Sequence, residues 1–290
     1  MPKLAPYDKN RMMPQGEWDP QRPRPRPPRR PRRDGRTSRG TTRSPEIRRP
    51  PADRVVLYGW HPVKAALENP RRRIRKLLAT ENAVRRLKAD GVVLPVEPEL
   101  VRPERFSAYL PADAVHQGLL AEADPLPALA IEELAEGIVL VLDQITDPHN
   151  VGAILRSAAA FAVSALVTTS RHSPEATGAL AKAASGAIEL VPIVTVANLA
   201  RALEALKARG FLTVGLDSES EADLASVPLE RPLALVLGAE GKGLRQLTRA
   251  TCDRLARLVV PGRIKSLNVS NAAALALYIA TARLDWLTPG

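Results

Sequence analysis

The sequence predicts an α/β protein: a mainly parallel sheet with helices on both faces in its carboxyl-terminal half, preceded by a small α/β unit and a disordered basic tail. Three observations predict it. From about residue 137 onward, apolar runs of strand length alternate with amphipathic stretches of helix length, the pattern of a sheet covered on both faces. Residues 55–122 carry a shorter version of the same alternation. Residues 1–53 carry none of it; they hold 15 Lys and Arg against six Asp and Glu.

That first segment is read as a tail. Apart from Gln21, residues 21–33 are all Arg and Pro, a composition that cannot bury enough surface to offset chain ordering. Of the 42 basic and 31 acidic residues in the chain, 27 and 25 lie beyond it, so the net charge of +11 belongs mainly to the tail. Such a tail can contact RNA phosphates through counterion release without reading sequence; a solvated linker is the alternative.

The rest of the 290 residues, 45% hydrophobic overall, can build one substantial core and a smaller second one. No stretch approaches the roughly 20 apolar residues of a membrane helix, so no membrane partner is expected. The single cysteine, Cys252, excludes an internal disulfide and a cysteine-based zinc site. It fits a reducing cytosol, and the opening residues lack a secretion signal, so the expected location is cytoplasmic.

Taken in order, 55–68 reads as a strand or turn entering a helix whose first turn tolerates Pro62. Short strands are expected at 74–80, 91–96 and 116–121, with a helix at 81–89. These make a small domain at 54–123, followed by a linker at 124–136 that contains Asp-Pro-Leu-Pro. In the third domain, 137–290, strands are expected at 138–142, 165–169, 190–194, 212–216, 233–237 and 258–260. Helices are expected at 151–161, 174–187, 197–208 and 271–287. Ligands of such sheets bind at the carboxyl ends of the strands, and the unusual loops of this sequence fall there.

Three loops carry the chemistry. DPHNVGAILRS (147–157) leads into a helix; Asn150 stands where an N-cap is expected, and Arg156 lies nearly two turns on. A cap plus a surface arginine is the plain reading. LVLGAEGKGL (235–244) places three glycines directly after a strand, which lets backbone amides approach a ligand, although the spacing is neither G-x-G-x-x-G nor a P-loop. Glu240 within it argues against a phosphate unless it orients a cation or hydroxyl. In PGRIKSLNVSNAAA (261–274), Ser270 is a natural N-cap, which leaves Ser266 and Asn268 without a local task. No cluster has metal-ligand spacing, and no G-x-S-x-G elbow supports a hydrolase.

In this order and separation, the three segments resemble the signature motifs of the SpoU (TrmH-like) family of RNA ribose 2′-O-methyltransferases. YGWHPV (58–63) and VHQG (115–118) also resemble the amino-terminal RNA-binding domain of the members that methylate a guanosine in 23S ribosomal RNA. The resemblance implies a knotted (trefoil) carboxyl-terminal domain, S-adenosyl-L-methionine as cofactor, no metal, RNA as partner and a homodimer with active sites drawn from both subunits. It assigns Gly238, Leu258, Ile264 and Leu267 to the cofactor. It assigns Arg156, Asn150, Glu240, Ser266 and Asn268 to the chemistry. Proposals for the family make the matching arginine a general base. A guanidinium gives up its proton so reluctantly that Arg156 is expected instead to hold a phosphate or stabilise the ribose alkoxide, with the others orienting it.

Two positions depart from the family pattern: Leu258-Val-Val replaces its Ile-Pro-Met, and Ala162 replaces a common glycine. A transfer-RNA or other ribosomal methyltransferase, or a non-catalytic RNA-binding assembly factor, are the alternative functions.

Overall fold

In the computed structural model, residues 54–170, 180, 183–264 and 266–284 are described. The expected tail and most of the expected helix at 174–187 lie outside them. Val55–Tyr58 (β1) runs into Gly59, whose φ of 88° turns the chain at once into Trp60–Glu68 (α1). Ile74–Ala79 (β2), Glu81–Ala89 (α2), Glu99–Leu100 (β3) and Leu119–Ala123 (β4) complete a four-stranded sheet of order β1-β4-β2-β3. Leu57, Leu77, Leu119 and Ala121 of the strands bury with Val63, Ala66 and Leu87 of the two helices. Leu78 and Leu120 point to the other face and bury with Phe106 and Leu110, the alternation of a pleated strand.

The sheet explains the HQG tripeptide. Gln117 and Gly118 both have positive φ, 51° and 77°, so the chain cannot extend before Leu119. The Gln117 Oε1 accepts the Trp60 N–H at 2.8 Å, which satisfies a donor at the start of α1. A Cβ on Gly118 would stand 2.4 Å from the Oγ1 of Thr80, the N-cap of α2. One loop therefore ties down the starts of both helices, and the expected strand at 116–121 begins three residues late.

The second sheet has six strands, Ile138–Asp143 (β5), Ala165–Thr169 (β6), Ile193–Val196 (β7), Leu212–Leu216 (β8), Leu233–Gly238 (β9) and Arg254–Ala256 (β10). Their order is β10-β8-β9-β5-β6-β7, and every pairing is parallel. Pro148–Ala160 (α3) and Val269–Arg283 (α6) cover one face, where Ile138, Leu140 and Leu235 meet Ile154, Leu155 and Leu277. On the other face, Val139, Val141 and Val236 bury with Leu203 and Leu206 of Leu199–Ala208 (α4). A short helix, Gln246–Thr251 (α5), precedes β10.

Several expected elements shift, each for a local reason. The strand expected at 190–194 begins only at Ile193, because Pro192 lacks an N–H for the ladder; Leu190 closes a 3₁₀ turn and is exposed. The stretch 91–96 forms no strand, and its Val93 is 81% exposed. Residues 258–260 also form no strand. Arg254–Ala256 takes the place beside β8, while Leu258 and Val260 go to the wall of a cavity. Among the described residues, no helix is long and apolar enough to cross a membrane.

The two sheets are joined by a buried ion pair. The Arg72 guanidinium donates to the Glu189 carboxylate from Nε at 3.1 Å and Nη2 at 2.7 Å, and to the Asp124 carbonyl from Nη1 at 2.8 Å. Asn69 adds a bond to the same carboxylate at 2.8 Å. Both charged side chains are at most 3% exposed.

Candidate active site

A cavity of about 250 Å³ opens beyond the carboxyl ends of β8 and β9, the place where parallel sheets bind ligands. Its walls are Leu216 and Asp217 after β8, the glycine turn from Leu237 through Gly243, Leu258 and Val260 beyond β10, and Ser266, Leu267 and Val269 at the start of α6. The second and third sequence segments therefore share one pocket.

The glycine turn is shaped by backbone packing. A Cβ on Gly238 would lie 2.1 Å from the Gly243 carbonyl carbon and 2.4 Å from the Leu244 nitrogen. The loop folds back on its own start, closed by the Gly243 N–H on the Ala239 carbonyl at 2.8 Å. Gly241 and Gly243 have φ of 76° and 64°, a region open to glycine at little cost. Glu240 is exposed at the rim.

The first segment joins through one hydrogen bond. Asn268 Nδ2 donates to Asn150 Oδ1 at 3.1 Å. Both expected caps move by a few residues. Asp147 caps α3 by accepting the His149 N–H at 3.0 Å, with Pro148 at the first helical position; Asn150 is left inside the first turn, free to reach Asn268. Asn268 caps α6, accepting the Ser270 N–H at 2.9 Å and the Ser270 hydroxyl at 2.6 Å. It therefore has a local task, and Ser270 is its partner instead of the cap.

Of the residues expected at the cofactor, Gly238, Leu258 and Leu267 line the cavity, while Ile264 is 78% exposed and absent from its wall. Of those expected in the chemistry, Glu240 and Ser266 line it, and Asn150 and Asn268 brace its edge. Arg156 is exposed on α3 and contributes nothing to the wall.

One residue at the site was not anticipated. Asp143, at the end of β5, is fully buried and holds Arg245 just beyond the glycine turn. A charged residue closing an otherwise apolar strand was the available signal. Cys252 offers no nucleophile, since burial first of all pushes its thiol up to about 12. Among the described residues, no group of three or more His, Cys, Asp or Glu is placed to hold a metal.

Leucine and valine walls, a turn rich in backbone donors and the exposed Glu240 carboxylate fit a flat heterocycle carrying a cationic chain; the Asp217 carboxylate is already held by Arg249 at 2.6 Å. Residues 137–278 match the model of the SpoU rRNA Methylase family, and residues 56–129 match that of the RNA 2'-O ribose methyltransferase substrate binding family. The 23S rRNA (guanosine-2'-O-)-methyltransferase RlmB of Pseudomonas putida is 38% identical over 77% of this chain and 94% of its own length. The chain belongs to the SpoU rRNA methylase family. A second SpoU relative, the RlmB of Pseudomonas aeruginosa, is 40% identical with the same coverage of both chains. In fold, the chain resembles the crystal structure of the SpoU methyltransferase AviRb from Streptomyces viridochromogenes in complex with AdoMet. That match has a TM-score of 0.69 at 23% identity, over 80% of this chain and 91% of the other.

Proposed function

We propose that this chain transfers a methyl group from S-adenosylmethionine to the ribose 2′-hydroxyl of a guanosine in 23S ribosomal RNA, as a cytosolic homodimer. The observation that carries the proposal is the single cavity into which the glycine turn and the Ser266–Leu267 loop converge. The two family matches and relatives carrying that activity over 94% of their own length support it. In this reading, 54–123 binds RNA, 124–136 is a linker, and 137–290 is a knotted methyltransferase domain. The tail at 1–53 adds contact with phosphates.

S-adenosylmethionine supplies an electrophilic methyl carbon whose leaving group is a neutral thioether. The work left to the protein is alignment and charge. Gly238, Leu258 and Leu267 hold the cofactor, and Asn150, Glu240, Ser266 and Asn268 orient the ribose and the arginine. Arg156 stabilises the ribose oxygen as the hydroxyl proton passes to solvent water. A guanidinium does not give up its proton in proteins, so Arg156 acts as a fixed cation and not as a base. Its position off the wall of its own cavity supports an active site completed by a second subunit. So do Leu275 and Tyr278, left 45% and 56% exposed on α6, the helix packed against α3.

Arg156→Ala is expected to lower kcat at least about 100-fold, the scale of losing one transition-state donor, with cofactor affinity unchanged. Methyl transfer to a 23S fragment and calorimetry with S-adenosylmethionine measure the two quantities. Substantial residual turnover would remove Arg156 from the chemistry, and absence of cofactor binding in the unmodified protein would favour a non-catalytic RNA-binding role.

A further inference from the structure

We infer that Asp143 is a positioning residue for the cofactor, acting through Arg245 to fix the glycine turn; the inference rests on the methyltransferase reading above. Asp143 is the last residue of β5 and stands directly opposite Gly238 in the parallel ladder with β9. The turn leaves the sheet at Gly238, runs along the cavity wall, and comes back so that Gly243 lies against Gly238. Two residues later it meets Asp143. One carboxylate oxygen accepts the Arg245 backbone N–H at 3.0 Å, and the other accepts the Arg245 Nε–H at 2.7 Å.

The carboxylate is wholly buried, whereas the Arg245 side chain is 41% exposed. A buried ionised carboxylate without partners is strongly disfavoured, so it holds both donors. The turn is thereby fastened at both ends: at Gly238 by the strand ladder, and at Arg245 by Asp143. Its positive-φ glycines, Gly241 and Gly243, have nothing within 4 Å of where a Cβ would stand, and the Gly243 N–H to Ala239 carbonyl bond closes the loop only on itself. The clamp at its ends sets where the backbone donors of 239–243 lie.

Asparagine cannot replace the aspartate. Its amide group would present N–H donors to one of the two Arg245 donors and leave that pair unmatched. The test uses the full chain with Asp143→Asn, Arg245→Ala and, as a destabilised control, Val194→Ala on β7, which lies beyond β5 and β6 from the turn. Calorimetry with S-adenosylmethionine is expected to show Kd raised at least about tenfold in the first two variants, equivalent to about 1.4 kcal/mol, and unchanged in the control. At saturating cofactor, kcat should stay near that of the unmodified protein.

Amide hydrogen exchange over 239–245 in the ligand-free protein should quicken in the same two variants only. Unmodified Kd in Arg245→Ala, or unmodified exchange across the turn, overturns the inference; should Asp143→Asn fail to fold, Arg245→Ala decides alone. If the unmodified protein binds no cofactor, the methyltransferase reading fails instead, and the exchange measurement still judges the clamp.

Discussion

Ala162 follows the end of α3 with φ of 51°, the left-handed conformation that helices commonly adopt just past their last turn. The SpoU family usually places glycine there, and the structure supplies the reason. A Cβ in this region costs roughly 1–2 kcal/mol, while glycine loses more chain entropy on folding, by roughly 0.5–1 kcal/mol. The strain outweighs the entropy. Ala162→Gly is therefore expected to stabilise the protein by about 0.5–1 kcal/mol without affecting methyl transfer, as measured by urea unfolding. A loss of stability would mean that surrounding contacts already compensate the alanine.

At the scale of elements, most strand and helix positions were legible, because burial on both faces of a parallel sheet leaves continuous apolar runs such as Ile138–Asp143. The errors arose where an apolar run serves something other than a ladder. Leu258 and Val260 wall the cavity, and Leu190 precedes Pro192 in a turn. The site's sequence segments were legible as loops, but their convergence was not, since no periodicity records which loops meet. The Asn268–Asn150 bond spans 118 positions, and the role of Asp143 depends on a loop about a hundred residues away.

Gly152 shows the same limit. A Cβ there would stand 2.3 Å from the Ala183 Cβ and 2.8 Å from the Ala183 carbonyl carbon, so the α3 backbone packs directly on residues 183 and 184. Alanine would gain up to about 1 kcal/mol of helix propensity, but overpacking a core costs about 1–3 kcal/mol, and backbone cannot move aside as a flexible side chain could. Gly152→Ala is expected to lower stability by about 1–2 kcal/mol net. It should also weaken cofactor affinity by shifting Asn150, two residues away, from Asn268. A variant with unchanged unfolding midpoint and affinity would show that α3 and residues 183 and 184 part freely.

For the whole molecule, the question is what holds the four-stranded sheet to the six-stranded one. The Arg72–Glu189 pair is a polar tie between them, buried on both sides and shared with Asn69 and the Asp124 carbonyl. Its net worth is not the sum of its bonds. Two charges must leave water to make it, and the penalty can match the attraction; removing one partner leaves the other buried and uncompensated, at a cost of about 3–5 kcal/mol. Arg72→Met is therefore expected to destabilise on that scale, because among the described residues the Glu189 carboxylate keeps only the Asn69 amide. The double variant Arg72→Met with Glu189→Leu replaces both charges with apolar groups and should recover most of the loss. Its unfolding free energy should return to within about 1–2 kcal/mol of the original, since swapping a buried pair for apolar residues is often neutral. Urea unfolding of the two single variants and the double closes the cycle. If the double is no more stable than Arg72→Met, the pair contributes net stability in its own right. The ion pair would then be a source of cohesion between the sheets, and not only a means of fixing how they meet.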